Sequence, residues 1–256
     1  MISAFVITLI PKAQEQLIKR FALASSLITF VLSAILLFQF DFSSAEKLQL
    51  GNKISWIKSI NANYEIGIDG ISLPLLVLST FITVLAIIYS LEHLPEPKSP
   101  KGFLALILVL ETGMNGTFVA LDLILFFVFF EIVLLPMYFM IGIWGDKTVR
   151  TVSGFKNQIE TRLYASIKFF VFTLFGSAFM LLGFLGLYYR GNKTFSIPEL
   201  IELGTSGAFT GTFATLVFAV LFLGFAVKVP MWPLHTWLPD AHTACLLYTS
   251  DAADEV

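Results

Sequence analysis

The sequence predicts an all-α, polytopic bundle of membrane-crossing helices, and three observations carry that prediction. Of the 256 residues, 57% are hydrophobic and 13% charged, about half the charged share that covers a water-soluble domain of this size. Mean hydropathy is +0.84. Residues 21–40, 71–91 and 169–189 carry no charge, and each supplies the roughly 20 apolar residues that cross a hydrocarbon core of about 30 Å. Sixteen Lys and Arg against eighteen Asp and Glu leave a net charge of -2, so no basic footprint for nucleic acid exists. One cysteine can form neither an internal disulfide nor a thiolate metal cage.

Taken in chain order, the helices are expected at about residues 1–11, 19–40, 71–91, 103–121, 123–144, 163–189 and 207–234. The first stretch, MISAFVITLI, is too short to span and lacks the basic start and small-residue cleavage site of a signal peptide. It is expected to be the remnant of a first helix. The apolar run 103–144 is long enough for two helices that turn near Asp122. In the last span, Pro230 and Pro233 each remove a helix hydrogen bond, so that helix is expected to break. Counting Lys and Arg on alternate sides gives nine (Lys12, Lys19, Arg20, Lys98, Lys101, Lys147, Arg150, Lys156, Arg162) against five (Lys47, Lys53, Lys58, Arg190, Lys193). Since cytoplasmic loops hold the basic excess, the first set is expected inside, with the N-terminus and the loop 41–69 outside.

A charge at bilayer depth is costly unless it faces protein or water, which makes intramembrane charges functional candidates. Glu131 lies eight residues into a helix beginning near Leu123, roughly 12 Å deep at 1.5 Å per residue. Pro136, five residues on, frees the carbonyl of Ile132 and can bend the helix beside the carboxylate. The competing structural role for Glu131 is a packing hydrogen bond from its protonated form. Lys228 stands where the last span meets Pro230, so an amine and unpaired carbonyls converge at a helix interruption; its bland role is to snorkel to the headgroups. Lys168 is balanced between a relay role and snorkelling, being only five residues past Leu163. Glu111 shares its helix with Gly113, Asn115 and Gly116, where packing and proton work are equal alternatives. His93 falls in a polar loop. His235 and His242 can carry protons near neutral pH, but no carboxylate or thiolate stands at metal-ligand spacing beside them. With no phosphate loop, cysteine cluster or nucleophile elbow, no cofactor is expected. A row of intramembrane acids and amines is the composition of an ion path.

Three stretches carry a resemblance: DGISLPLLVL at 69–78, TGMNGTFVALDLILFFVFFEIVLLPMYFMIGIWG at 112–145, and FAVKVPMWPLHTWLPDAHTA at 225–244. They resemble the antiporter-like membrane subunits of proton-pumping NADH-quinone oxidoreductase, respiratory complex I. The DGISLP wording favours the subunit M (chain 4) family over the sister subunits L and N. The resemblance covers residues 1–244. It implies the first half of a fold of about fourteen helices in two inverted repeats, with a broken seventh helix. It further implies proton translocation coupled to quinone reduction elsewhere, with no redox chemistry in this chain. The implied partners are the lipid bilayer and other membrane-arm subunits, L and N included, while NADH and quinone bind to other subunits. Residue by residue, Glu131 matches the family's carboxylate of the fifth helix, Lys228 the lysine of the broken seventh, and Lys168 a lysine of the sixth. Glu131 and Lys228 are expected to form a charge pair whose opening and closing moves a proton.

The later helices of that fold, with their further ionisable residues, have no counterpart here, so the chain is expected to be a fragment of a longer one. Residues 245–256 depart from the family wording and read as an adapter-derived tail, expected outside any packed core. Two other readings stay open: a subunit of a multi-subunit cation/proton antiporter, which shares the same Glu and Lys helices, and a structural membrane module, which Glu131 opposes.

Overall fold

The computed structural model describes residues 1–45, 47–95, 97, 99–150 and 159–245. Its helices are α1 (Ile2–Leu9), α2 (Glu15–Gln39), α3 (Ser72–Glu92), α4 (Pro100–Val119), α5 (Leu123–Ile132), α6 (Leu134–Trp144), α7 (Thr161–Arg190), α8 (Ile197–Thr205), α9 (Gly211–Lys228) and α10 (Trp237–Cys245). Strands β1 (Gln49–Ile57) and β2 (Ala62–Ile68) form an antiparallel hairpin, and β3 (Val149–Arg150) and β4 (Ile159–Glu160) a two-residue one. Among the described residues six spans are long and apolar enough to cross a membrane, with α5 and α6 together forming one of them.

Helix ends lie beyond the expected positions where charges reach back to backbone. α2 begins at Glu15 because Lys19 sends its amine to the carbonyl of Leu91 at 2.6 Å, which lets a basic residue stand inside the helix. α4 begins at Pro100, a residue suited to a first turn that needs no N–H. Lys101 there donates to the carbonyl of Ile10 at 2.7 Å.

Three expectations are corrected. The segment 41–69 is not a plain loop: its backbone groups pair as the β1–β2 hairpin, in which Ala62, Asn63, Glu65 and Ile68 are buried. The span 123–144 is not continuous but is divided at Val133. Pro136 has no N–H to offer Ile132, so the break falls one turn before it and just after Glu131. Within 207–234, α9 ends at Lys228 and an irregular stretch leads on to α10, while α8 lies before that range. Cys245 closes α10, so it belongs to a helix and not to a tail; residues 246–256 lie outside the described residues.

Among the described residues the buried apolar side chains gather in four clusters. α1 to α4 share a core of Ile7, Ile18, Ala22, Ile87, Leu104 and Leu108. A second core gathers Leu134, Ile141, Ala165, Phe169, Trp237, Ala241 and Ala244 from α6, α7 and α10. Glycines set the approach of neighbours: a Cβ on Gly224 would lie 2.8 Å from the carbonyl oxygen of Gly176, and one on Gly116 would strike the Phe129 ring at 2.2 Å. Small residues thus bring α9 onto α7 and α4 onto α5, the close contact that helices use inside a bilayer. Large apolar side chains such as Ile28, Leu32, Phe38, Phe81, Leu182 and Phe218 remain exposed on outer faces.

Candidate functional site

Glu131 sits on the last turn of α5 and Lys228 ends α9, 97 residues later, yet Lys228 Nζ lies 3.2 Å from Glu131 Oε1. Both side chains are about four-fifths enclosed, at 17% and 20% exposure. The amine also stands 3.8 Å over the ring of Phe130, a cation–π contact. It donates at 3.4 Å to the Phe130 carbonyl. A buried charge pair of this kind is worthwhile only where further polar groups complete its hydrogen bonding. Ser177, on α7, supplies one by donating to Glu131 Oε1. Its hydroxyl also reaches the carbonyl of Thr173 at 2.9 Å. One hydroxyl proton serves one acceptor at a time, so Ser177 can turn to the carboxylate when it is charged and to the backbone when it is not.

The end of α9 is held open by local chemistry. Pro230 cannot donate to the Ala226 carbonyl, and Met231 takes that place at 2.9 Å. The Val227 carbonyl receives the indole N–H of Trp237 at 2.8 Å, across the interruption. Beyond it lies a cavity of about 480 Å³ lined by Lys228, Thr173, Phe169, Trp237 and His242. The interruption therefore leaves the amine at the wall of a cavity instead of inside a helix.

Lys168 does not join this pair. Its amine bonds Asp240 Oδ2 on α10 at 2.6 Å and lies 5.5 Å from the Tyr164 ring centre. Glu111 is 4% exposed, and its Oε1 and the Oδ1 of Asn115 have no hydrogen-bond partner among the described residues. Both line a separate cavity of about 560 Å³ with Ser25, Thr29, Ser33 and Thr80. His235 Nδ1 is buried without a partner among the described residues, and His242 faces the Lys228 cavity. Among the described residues no three His, Cys, Asp or Glu side chains are grouped as metal ligands. Ser177, Trp237 and Asp240 were not singled out from the sequence. Asp240 had a signal in the PDAH wording, where a carboxylate stands among apolar and proline residues close to Lys228.

The family model described as NADH:quinone oxidoreductase/Mrp antiporter, TM, matches residues 120–249, and one described as NADH-ubiquinone oxidoreductase chain 4, amino terminus, matches residues 1–117. The NAD(P)H-quinone oxidoreductase chain 4 of Gloeobacter violaceus is 38% identical over 244 residues, 94% of this chain and 42% of that protein. The NADH-quinone oxidoreductase subunit M of Rickettsia bellii is 38% identical over 225 residues, 86% of this chain and 41% of that protein. A chain of respiratory complex I from Thermus thermophilus with bound NADH superimposes with a TM-score of 0.71 at 26% identity, over 88% of this chain and 42% of that one. The chain thus spans about two fifths of the length of these relatives.

Proposed function

Because the chain belongs to the NADH:quinone oxidoreductase/Mrp antiporter family of multi-pass membrane proteins, we propose that it is the charge-pair half of a proton-translocating subunit M of an NADH-quinone oxidoreductase. The observation that carries this reading is the enclosed Glu131–Lys228 pair at the end of an interrupted helix. Closed, the pair favours both charged forms; opened, each group in low dielectric favours its neutral form. Lys228 then gives up a proton and Glu131 takes one, without any cofactor. The gap beyond α9 and the break at Val133 allow that separation, and the cavity at Lys228 gives water a place to carry the proton.

Remote redox chemistry would drive the opening, with NADH and quinone held by other subunits and with subunits L and N as neighbours in the membrane arm. The bacterial relatives support a bacterial plasma membrane location, and the basic excess of the loops near Lys12, Lys101 and Lys147 supports those loops being cytoplasmic with the N-terminus directed outward. A second reading, a subunit of a multi-subunit cation/proton antiporter, rests on the same family description. The relatives at 38% identity favour the first.

The test uses the full-length chain in its assembled complex, with proton pumping followed in inverted membrane vesicles. Glu131→Ala and Lys228→Ala are each expected to lose pumping by about 100-fold, the scale of a removed proton-transfer group. Glu131→Asp is expected to keep part, because an ionisable carboxyl stays within reach. Normal pumping by Glu131→Ala overturns the proposal.

A further inference from the structure

The pair formed by Lys168 and Asp240 stands apart from Glu131 and Lys228, yet one short helix ties the two pairs together. α10 begins with Trp237 and continues through Asp240, and residues three apart lie on one side of a helix. Trp237 donates to the Val227 carbonyl, next to Lys228, at 2.8 Å, while Asp240 holds Lys168 on α7 at 2.6 Å. Leu238, Ala241 and His242, around Asp240 in sequence, line the same cavity as Lys228. Phe169, the neighbour of Lys168, meets the Trp237 ring at 5.3 Å. The far end of α10 is bonded to the loop after α6, where the Asp146 N–H donates to the Ala244 carbonyl at 2.8 Å. α10 is therefore a lid over the Lys228 cavity, fixed at one edge by an indole on a broken-helix carbonyl and at another by an ion pair.

We infer that Asp240 is a proton-carrying counter-ion whose pair with Lys168 latches this lid, so that the chain contains two coupled carboxylate–lysine switches. This rests on the proposed proton-translocating role. Asp240 and Lys168 are 26% and 20% exposed, so most of each side chain is enclosed while a part stays open to the surroundings of the bundle. A proton arriving from water on the side of Asp146 neutralises the Asp240 carboxylate. Lys168 then loses its counter-ion, the latch opens, and the protonated Asp240 stands next in sequence to Ala241 and His242, which line the cavity. Once Lys228 has passed its own proton on and stands as a neutral amine, it accepts the Asp240 proton through cavity water, with His242 on the same wall. The carboxylate left behind re-forms its pair with Lys168. One proton enters and one proton moves inward, and both pairs return to their starting charge.

The experiment uses the full-length chain in its complex, measuring proton pumping beside quinone reductase turnover and complex assembly. Asp240→Asn is expected to lower pumping about tenfold or more, and Asp240→Glu to keep most of it. The neutral double variant Lys168→Met with Asp240→Asn removes both charges together, so no unpaired charge is left to harm folding. It is expected to assemble and still fail to pump. Pumping restored to the normal rate in that double variant, or normal pumping by Asp240→Asn, overturns the inference, because a merely structural ion pair behaves that way. If Glu131→Ala is inactive while Asp240→Asn pumps normally, the latch alone fails. If both pump normally, the underlying reading fails with it.

Discussion

Asp122 has no exposed surface, and its carboxylate accepts the backbone N–H of Asn63 at 2.9 Å, of Ile124 at 2.9 Å and of Leu125 at 3.2 Å. It caps α5 and ties the hairpin to the turn between α4 and α5, as a short polar side chain at a helix start does. Burial pushes its carboxyl above the ordinary range, while the three N–H bonds act against that rise. Asp122→Ala is expected to cost about 2–4 kcal/mol, since it leaves three buried donors unmatched. Thermal unfolding of the full-length chain in detergent checks this, with Asp122→Asn expected to cost less because an amide oxygen still accepts. At this scale Glu131 and Lys228 were legible in the sequence, because a charge inside an apolar run has few explanations. Ser177 and Asp240 were not. A serine in a helix packs as well as it donates, and a carboxylate directly after a proline reads like any solvated turn.

Helix α7 is the common wall of the site: it brings Ser177 to Glu131 and Lys168 to Asp240, and it packs closely along α9. That closeness depends on Gly176 and Gly224 facing one another, each carbonyl within 3.0 Å of where the other's Cβ would stand. Gly224→Val is expected to push α9 away from α7, costing about 1–3 kcal/mol as overpacking does. It should also weaken the Glu131–Lys228 contact one turn later. A lower unfolding midpoint together with reduced pumping is the expected outcome, and an unchanged protein would show that the helices do not need to touch there. The element boundaries depended on the same kind of detail. Pro136 and Pro230 marked both interruptions in the sequence. That the first falls at Val133, and that a separate helix follows the second, depended on which neighbouring donors and side chains stood ready to replace the lost bonds.

The whole molecule has two distinct ends. At one, the Lys19, Lys101 and Trp144 side chains stitch the segments near Leu91, Ile10 and Pro97 together. At the other, the β1–β2 hairpin, the turn at Ala120–Asp122 and the strand-like residue Ser196 are bridged by backbone pairing. In a full-length protein with Cys245→Ser, Ser55→Cys is expected to react with an impermeant thiol reagent in spheroplasts. Lys147→Cys is expected to react only after the membrane is opened. The reverse pattern would invert the orientation. By itself the sequence determined that this is a membrane bundle and which charges inside its spans must find a partner, because hydropathy and the cost of a buried charge act along the chain residue by residue. Only the tertiary structure decided which partner each charge found. Lipid and neighbouring helices offer the same apolar surface to a spanning helix, so no periodicity along one segment says which face meets which neighbour. The Glu131–Lys228 and Lys168–Asp240 pairs join residues 97 and 72 positions apart, and they came from small-residue contacts and helix interruptions that exist only once the bundle has formed.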